Sequence, residues 1–445
     1  MSLQEFGYQE QLRRVLTTRD LVIYGMIFMV PIAPFAVYGF VWNDSNGMVP
    51  LAYLVGLAGM FFTALSYAAM SRAFPLAGSV YTCAHRGLHE IAGFFSGWLI
   101  LLDYLLIPAL LYLISAVALR PIFPGVPSYA WLTAFIAFNA AVNLVGIKFT
   151  ARINRYMLIV ELGILAWFVV VGLVSLYGGA GAGKITLRPI YDPHAFSFAT
   201  VASATSIAVL SFLGFDGIST LSEESKDGLN SVGRATVLAL VLVGALFIAQ
   251  TWIATDLSAG MRFSSPETAF YEIAERAGGP WLRLAIIIVS VFAVGIANAM
   301  VAQTAVSRVL FAMARDRKLP AVLAKIHPSF MTPYVSILVV TVFSLAIGLM
   351  FASHLDQLTA IVNFGALSGF VLLHLSVISH FYIRQRSGDW LRHVAFPLIG
   401  MLIILYVLFE MDRAAKIMGA IWIAVGVIYY SVLTFWVRRA AALEI

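Results

Sequence analysis

Three carboxylates, Asp103, Glu161 and Asp216, fall inside apolar stretches long enough to cross a bilayer. A charged acid at membrane depth costs about 2.5–3.5 kcal/mol on insertion scales, so it turns towards a cavity, a partner or a proton. Asp216 sits in Ser211-Phe-Leu-Gly-Phe-Asp-Gly-Ile-Ser-Thr220, after the apolar run from Val201 to Leu210 and before Glu223 and Glu224. Gly214 and Gly217 bracket it and weaken the helix there. A broken helix is tolerated at membrane depth where its freed backbone groups line a cavity. The chemistry on offer is the holding of a cation by a carboxylate in a dry pocket. A glycine-rich packing patch with a structurally paired Asp216 is the competing explanation, and the habit of intramembrane acids favours a functional site.

A second interruption matches the first. The stretch Leu21 to Trp42 has Met29-Val-Pro-Ile-Ala-Pro34 at its centre. Two prolines three apart remove two backbone donors and block regular helix. A simple kink would explain this pair taken alone. Interruptions at corresponding places five helices apart point instead to an inverted repeat with a binding site between them. The candidate site is therefore Phe28, Met29, Val30 and Ala33 from the first break, and Phe212, Gly214, Phe215 and Asp216 from the sixth.

Other polar residues could join them. Asp103 and Tyr104 stand together before Pro108. Neighbours on a helix point about 100° apart, so one small site would not take both. Glu161 lies seven residues after Asn154 and could carry a proton, as could Asp103, or pair with an arginine near one face. Asn298, Gln303 and Thr304 read first as hydrogen-bond glue between helices, with Asn298 kept as a candidate ligand. Asn363 and Ser368 read as glue too.

These residues need a frame, and composition supplies it. The chain has 445 residues, 61% of them hydrophobic and 11% charged, with a mean hydropathy of +0.92. That excludes a soluble domain and implies an all-α polytopic membrane protein. Apolar runs predict twelve transmembrane helices at about 20–42, 48–70, 90–119, 127–147, 155–177, 198–222, 234–257, 281–312, 333–352, 357–382, 394–410 and 417–437. One repeat would run from about 20 to 177 and the second from about 198 to 382, with two helices appended at 394–437. Of the 28 Lys and Arg, 20 fall on one side and 8 on the other, which puts both termini in the cytoplasm. The net charge of +6 is explained by that placement and is no nucleic-acid signal. The polar start, with Glu5, Glu10, Arg13 and Arg14, lacks the apolar core of a cleaved signal peptide.

Several chemistries drop out. A single cysteine, Cys83, excludes a disulfide framework or a cysteine metal cluster. Gly178-Gly-Ala-Gly-Ala-Gly-Lys184 nearly spells a phosphate-cradling loop, but Ile185 replaces the hydroxyl and no strand precedes it. A flexible glycine loop is the better reading. No metal-spaced histidines and no glycine-flanked nucleophile occur, so neither an enzyme nor a cofactor is expected.

The chain resembles the amino acid–polyamine–organocation transporter superfamily over essentially its whole length. The residues that carry the likeness are Phe74-Pro-Leu-Ala-Gly-Ser-Val-Tyr81, Gly97-Trp98 with Leu102-Asp-Tyr-Leu105, Ser211-Phe-Leu-Gly-Phe-Asp216 with Thr220-Leu-Ser-Glu-Glu224, and Val306-Ser-Arg308 with Arg315-Asp316. The Leu-Asp-Tyr-Leu and Leu-Ser-Glu-Glu pieces narrow it to bacterial putrescine importers. The resemblance implies a leucine-transporter-type 5+5 inverted repeat with helices 1 and 6 unwound. It implies import of a small cationic amine such as putrescine across the bacterial inner membrane, with an amino acid symporter or exchanger as the alternative. It also places Asp216 at the superfamily's acidic position and Tyr104 at a substrate-side tyrosine. Two departures stand out. Val30-Pro-Ile-Ala33 replaces the glycine-rich cradle that holds a substrate carboxylate, and Glu161 stands where many members carry a lysine. Coupling to protons rather than sodium is the expectation.

Overall fold

The computed structural model describes residues 12, 14–119, 122–123, 125–228, 230–351, 355–411 and 413–443. Glu5, Glu10 and Arg13 lie outside them. Among the described residues the protein is all helix, apart from one isolated bridge between Leu16 and Ser225.

Ten helices are long and apolar enough to cross a membrane, or eleven if a bent pair counts as one span. The apolar helix α12 (Tyr334–Met350) has 17 residues, about 25 Å of rise, the short end of what crosses a bilayer. Among the described residues it falls on the ninth of the expected spans, beside the ten or eleven longer candidates.

The bent pair is α1 (Thr18–Met29) and α2 (Pro34–Asp44), which meet at 52°. Thr17 starts α1 through a capping box with Asp20. The helix stops where Pro31 would remove a donor, and Val30 takes a φ of 52°, a strained value for a β-branched residue. Pro34 opens α2 at a position where no N–H is needed.

The sixth apolar stretch is also discontinuous. Helix α8 (Phe198–Ala208) tightens into a 3-10 turn at Val209–Phe212, Leu213 is extended, and a 3-10 segment runs from Phe215 to Glu224. Gly214 sits between them with φ 115°. A Cβ there would lie 2.7 Å from the Phe28 ring, so neither the conformation nor the space admits a side chain.

Between these elements lie α3 (Val49–Ala73), the short α4 (Ser79–Gly87), α5 (Glu90–Ala118, with Pro108 inside it), α6 (Ser128–Val145) and α7 (Ile147–Tyr177). After the second break come α9 (Ser231–Leu257) and α10 (Ala269–Phe292). A π-helical turn, Ala293–Asn298, joins α10 to α11 (Ala299–Arg315). Helices α13 (Leu355–Val377), α14 (Phe396–Glu410) and α15 (Arg413–Leu443) close the chain. On α7, Asn154, Leu158, Glu161, Leu165 and Phe168 are buried, while Tyr156, Ile159, Val160, Trp167 and Val170 are exposed. One stripe therefore faces the bundle and the other faces out, as a lipid-facing helix requires.

The glycine loop after α7 is anchored by hydrogen bonds, contrary to the flexible loop expected. Ala182 N–H donates to the Asp256 carbonyl (2.9 Å), and Thr186 donates to the Asp256 carboxylate through its N–H (2.9 Å) and hydroxyl (2.6 Å). No phosphate-binding helix follows it.

Candidate functional site

The two breaks face each other. The 3-10 segment Phe215–Glu224 packs against α1. The Phe28 ring lies against both Gly214 and Gly217, where added Cβ atoms would sit 2.7 and 2.3 Å from it. Asp216, between those glycines, is fully buried. One of its oxygens accepts the Tyr104 hydroxyl and the other accepts the Gly214 N–H at 3.2 Å. Tyr104 continues to Ser79 (3.4 Å), and Ser79 to Tyr67 (3.2 Å). Ser79 holds a φ of 48°, so a strained residue supports the tyrosine that supports the acid.

The arginines of α11 pair with the two glutamates at the end of the 3-10 segment. Arg308 pairs with Glu224 in a fully buried contact. Arg315 grips Glu223 with two nitrogens, at 2.8 and 3.0 Å. Glu223 also accepts the Ala77 N–H (3.0 Å), and Tyr81 donates to Asp316 (2.6 Å). Residues ahead of α1 join this layer, since Val15 and Leu16 N–H groups donate to the Glu224 carbonyl at 3.0 Å. This end of the molecule is sealed by charge pairs and backbone bonds, and Asp216 is left with neutral donors.

Beyond the seal lies a cavity of about 80 Å³, room for several waters. From the first break it is lined by Phe28, Met29, Val30 and Ala33. From the sixth stretch it takes Leu210, Ser211 and Leu213, and from α5 Ile107, Leu110, Leu111 and Ile114. Val294 and Asn298 of the π-turn complete the wall.

Five of the expected site residues thus meet at the cavity: Phe28, Met29, Val30, Ala33 and Asn298. Asp216, Tyr104 and Gly214 do not line it; the Phe28 ring, which does, packs on Gly214 and Gly217 and lies 6.5 Å from the Tyr104 ring. Phe212 and Phe215 are turned away into helix packing. Phe212 lies against Tyr53 and Phe247, and Phe215 against Tyr67 and Phe370. Asp103 is buried within electrostatic range of Asp216 and Tyr67 but outside the cavity lining, with Oδ1 unbonded. Glu161 is buried on the inward stripe of α7 with neither oxygen bonded. Sequence reasoning missed Ser211, Ile107 and Leu110, whose apolar or hydroxyl character gives no signal until the helices are packed.

The polar residues of the π-turn and of α11 differ in their bonding. Gln303 bonds Thr341 (2.8 Å) and accepts Asn143 (2.9 Å), and Thr304 donates to Asn143 (2.9 Å). These are interhelical bonds, as expected. Asn298, only 7% exposed, leaves its Oδ1 unbonded.

The break in α1 is a poor place for a carboxylate. Val30 and Ala33 N–H groups donate to Ile27 (3.2 Å) and Val30 (2.8 Å) carbonyls, and Pro31 has none to give. Two of the four residues from Val30 to Ala33 thus have their N–H groups engaged and a third has none.

Comparison with known proteins agrees with this architecture. The amino acid permease family model matches residues 22–438. The low-affinity putrescine importer PlaP of Escherichia coli (strain K12) is 34% identical, over 95% of this chain and 94% of that protein. The branched-chain amino acid permease BcaP of Bacillus subtilis (strain 168) is 25% identical, over 95% and 93%. The methylthioribose transporter of the same organism is 26% identical over the same shares. The chain belongs to the amino acid permease family: it is a multi-pass membrane transporter of the amino acid and polyamine class, not an enzyme.

Proposed function

We propose that this permease imports a small aliphatic diamine such as putrescine, coupled to protons, by alternating access around the Asp216 site. One observation carries the reading: Asp216 is a buried carboxylate whose partners are a hydroxyl and an amide N–H, with Arg308 and Arg315 paired instead to Glu224 and Glu223. A carboxylate so held gains most from a desolvated ammonium, since charge-assisted hydrogen bonds are about twice as strong as neutral ones. The aromatic faces of Phe28 and Tyr104 add cation–π attraction of about 0.5–2 kcal/mol each. Methylenes between two amines would lie along Ile107, Leu110 and Leu213. The relative PlaP is named for the same substrate.

The sealed end and the apolar cavity describe one state of a two-sided carrier. Phe28 must swing for a ligand in the cavity to reach Asp216, and the charge-paired layer must part for release. Glu161 is the proton carrier in this scheme and Asp103 the second candidate. The protein sits in a bacterial inner membrane with both termini cytoplasmic, as the asymmetry of 20 Lys and Arg against 8 supports.

Uptake of labelled putrescine tests the proposal, with amino acids and amines as competitors. Asp216→Asn abolishes uptake at unchanged expression; uptake within a few-fold of wild type rejects the site. Competition by branched-chain or cationic amino acids, with none by diamines, would establish the amino acid symporter instead.

A further inference from the structure

The first break leaves a carbonyl that its own strand of chain does not satisfy, and a side chain from another helix takes it. In a helix running on through Pro31, the Phe35 N–H would bond the Pro31 carbonyl; here it turns to the Ile32 carbonyl instead (3.0 Å). Gln250 of α9 supplies the missing donor. Its Nε2 reaches the Pro31 carbonyl at 2.9 Å and the Leu246 carbonyl of its own helix at 3.0 Å. The Gln250 side chain is fully buried, and its Oε1 is left with no donor. A buried acceptor left unmet is costly, so stability alone does not account for an amide at this place. Gln250 is not part of the cavity wall either. What it holds is the residue next to Val30, whose φ of 52° persists only where its surroundings fix it. One turn earlier on α9, Phe247 packs on Phe212 of the sixth stretch with ring centres 5.1 Å apart, so one helix grips both interrupted stretches.

We infer that Gln250 is a positioning residue of the transport site: by capping the Pro31 carbonyl from α9, it sets where Met29, Val30 and Ala33 stand in the cavity wall. This rests on the reading that the cavity lies on the substrate's path. With the bond in place the wall is ordered before a ligand arrives, and preorganisation of this kind strengthens binding. Without it the Pro31 carbonyl is unmet, Val30 is free to leave its strained conformation, and the wall shifts although none of its own residues has changed. Folding is affected less than binding. Replacing the amide by an apolar group of the same length removes the orphaned Oε1 along with the bond, and the two effects offset.

Gln250→Met, which keeps the side-chain length and removes the donor, tests this with two readouts. In a Cys83→Ala, Ala33→Cys background, the rate of labelling by a methanethiosulfonate ethylammonium reagent reports on the wall without any assumption about the substrate. Gln250→Met is expected to change that rate by about fivefold or more, with a melting temperature within about 2 °C of the parent. In putrescine uptake by the protein with Ala33 intact, the same substitution is expected to raise KM about fivefold or more and to leave the maximal rate within about twofold. The inference is overturned if the labelling rate stays within about twofold, or if it changes only together with a fall in melting temperature of more than about 5 °C, which marks a purely structural bond. Failure of the diamine reading shows separately, in a wild type that takes up no putrescine while labelling still responds to Gln250.

Discussion

A tyrosine hydroxyl occupies Asp216 while no cation is bound, so the acid is never bare. Tyr104→Phe removes that donor and cuts the chain through Ser79 to Tyr67. Leaving a buried acceptor unmet costs about 1–3 kcal/mol, so ligand-free Tyr104→Phe is expected to unfold at lower temperature, and added putrescine to recover more stability than in wild type. Differential scanning fluorimetry with and without the amine checks both parts. Gly214→Ala is the second test at this scale. The φ of 115° and the Phe28 ring leave no room for a methyl, so uptake is lost and the melting temperature falls. Equal uptake by Gly214→Ala would mean that Phe28 does not rest there in the working protein. Asp216 was legible in the sequence because an acid between two glycines in an apolar run is conspicuous. Ser211 was not, because a serine in a membrane helix looks the same whether it faces a cavity or its own backbone.

At the scale of elements, part of the quoted motifs does a different job from the ligand site. Phe74–Tyr81, Thr220–Glu224, Arg308 and Arg315-Asp316 converge on one sealed layer, through Ala77 to Glu223, Tyr81 to Asp316 and the two arginine–glutamate pairs. Arg308→Ala leaves Glu224 buried and uncompensated, a loss of about 3–5 kcal/mol. The double variant Arg308→Met with Glu224→Gln is expected to recover much of it. Thermal unfolding of the two variants reads the difference, and equal melting temperatures would show the pair to be dispensable. The break between α1 and α2 was visible from Pro31 and Pro34. The π-turn was not, since nothing in Ala293-Val-Gly-Ile-Ala-Asn298 departs from ordinary helix; Asn139 and Asn143 on α6 hold it from outside.

The whole molecule makes two further predictions. In a Cys83→Ala background, Lys184→Cys on the glycine loop labels with a membrane-impermeant maleimide from outside intact cells, whereas Lys325→Cys labels only after the cells are opened. The reverse pattern would invert the topology. Glu161→Gln is expected to bind putrescine normally yet no longer speed uptake when an inward proton gradient is imposed on proteoliposomes; an undiminished response would acquit Glu161. By itself the sequence determined that the chain lives in a bilayer, where its spans run, that the first and sixth are interrupted, and which acid lies at the second interruption. Hydropathy and proline chemistry are local, and local signals survive without coordinates. Only the tertiary structure decided that Phe28 packs on Gly214 and Gly217, that Phe212 and Phe215 turn into packing, and that Gln303 and Thr304 are tied to Asn143 of another helix. Those outcomes depend on which residues of distant helices arrive beside them, and no periodicity along one helix records its neighbours.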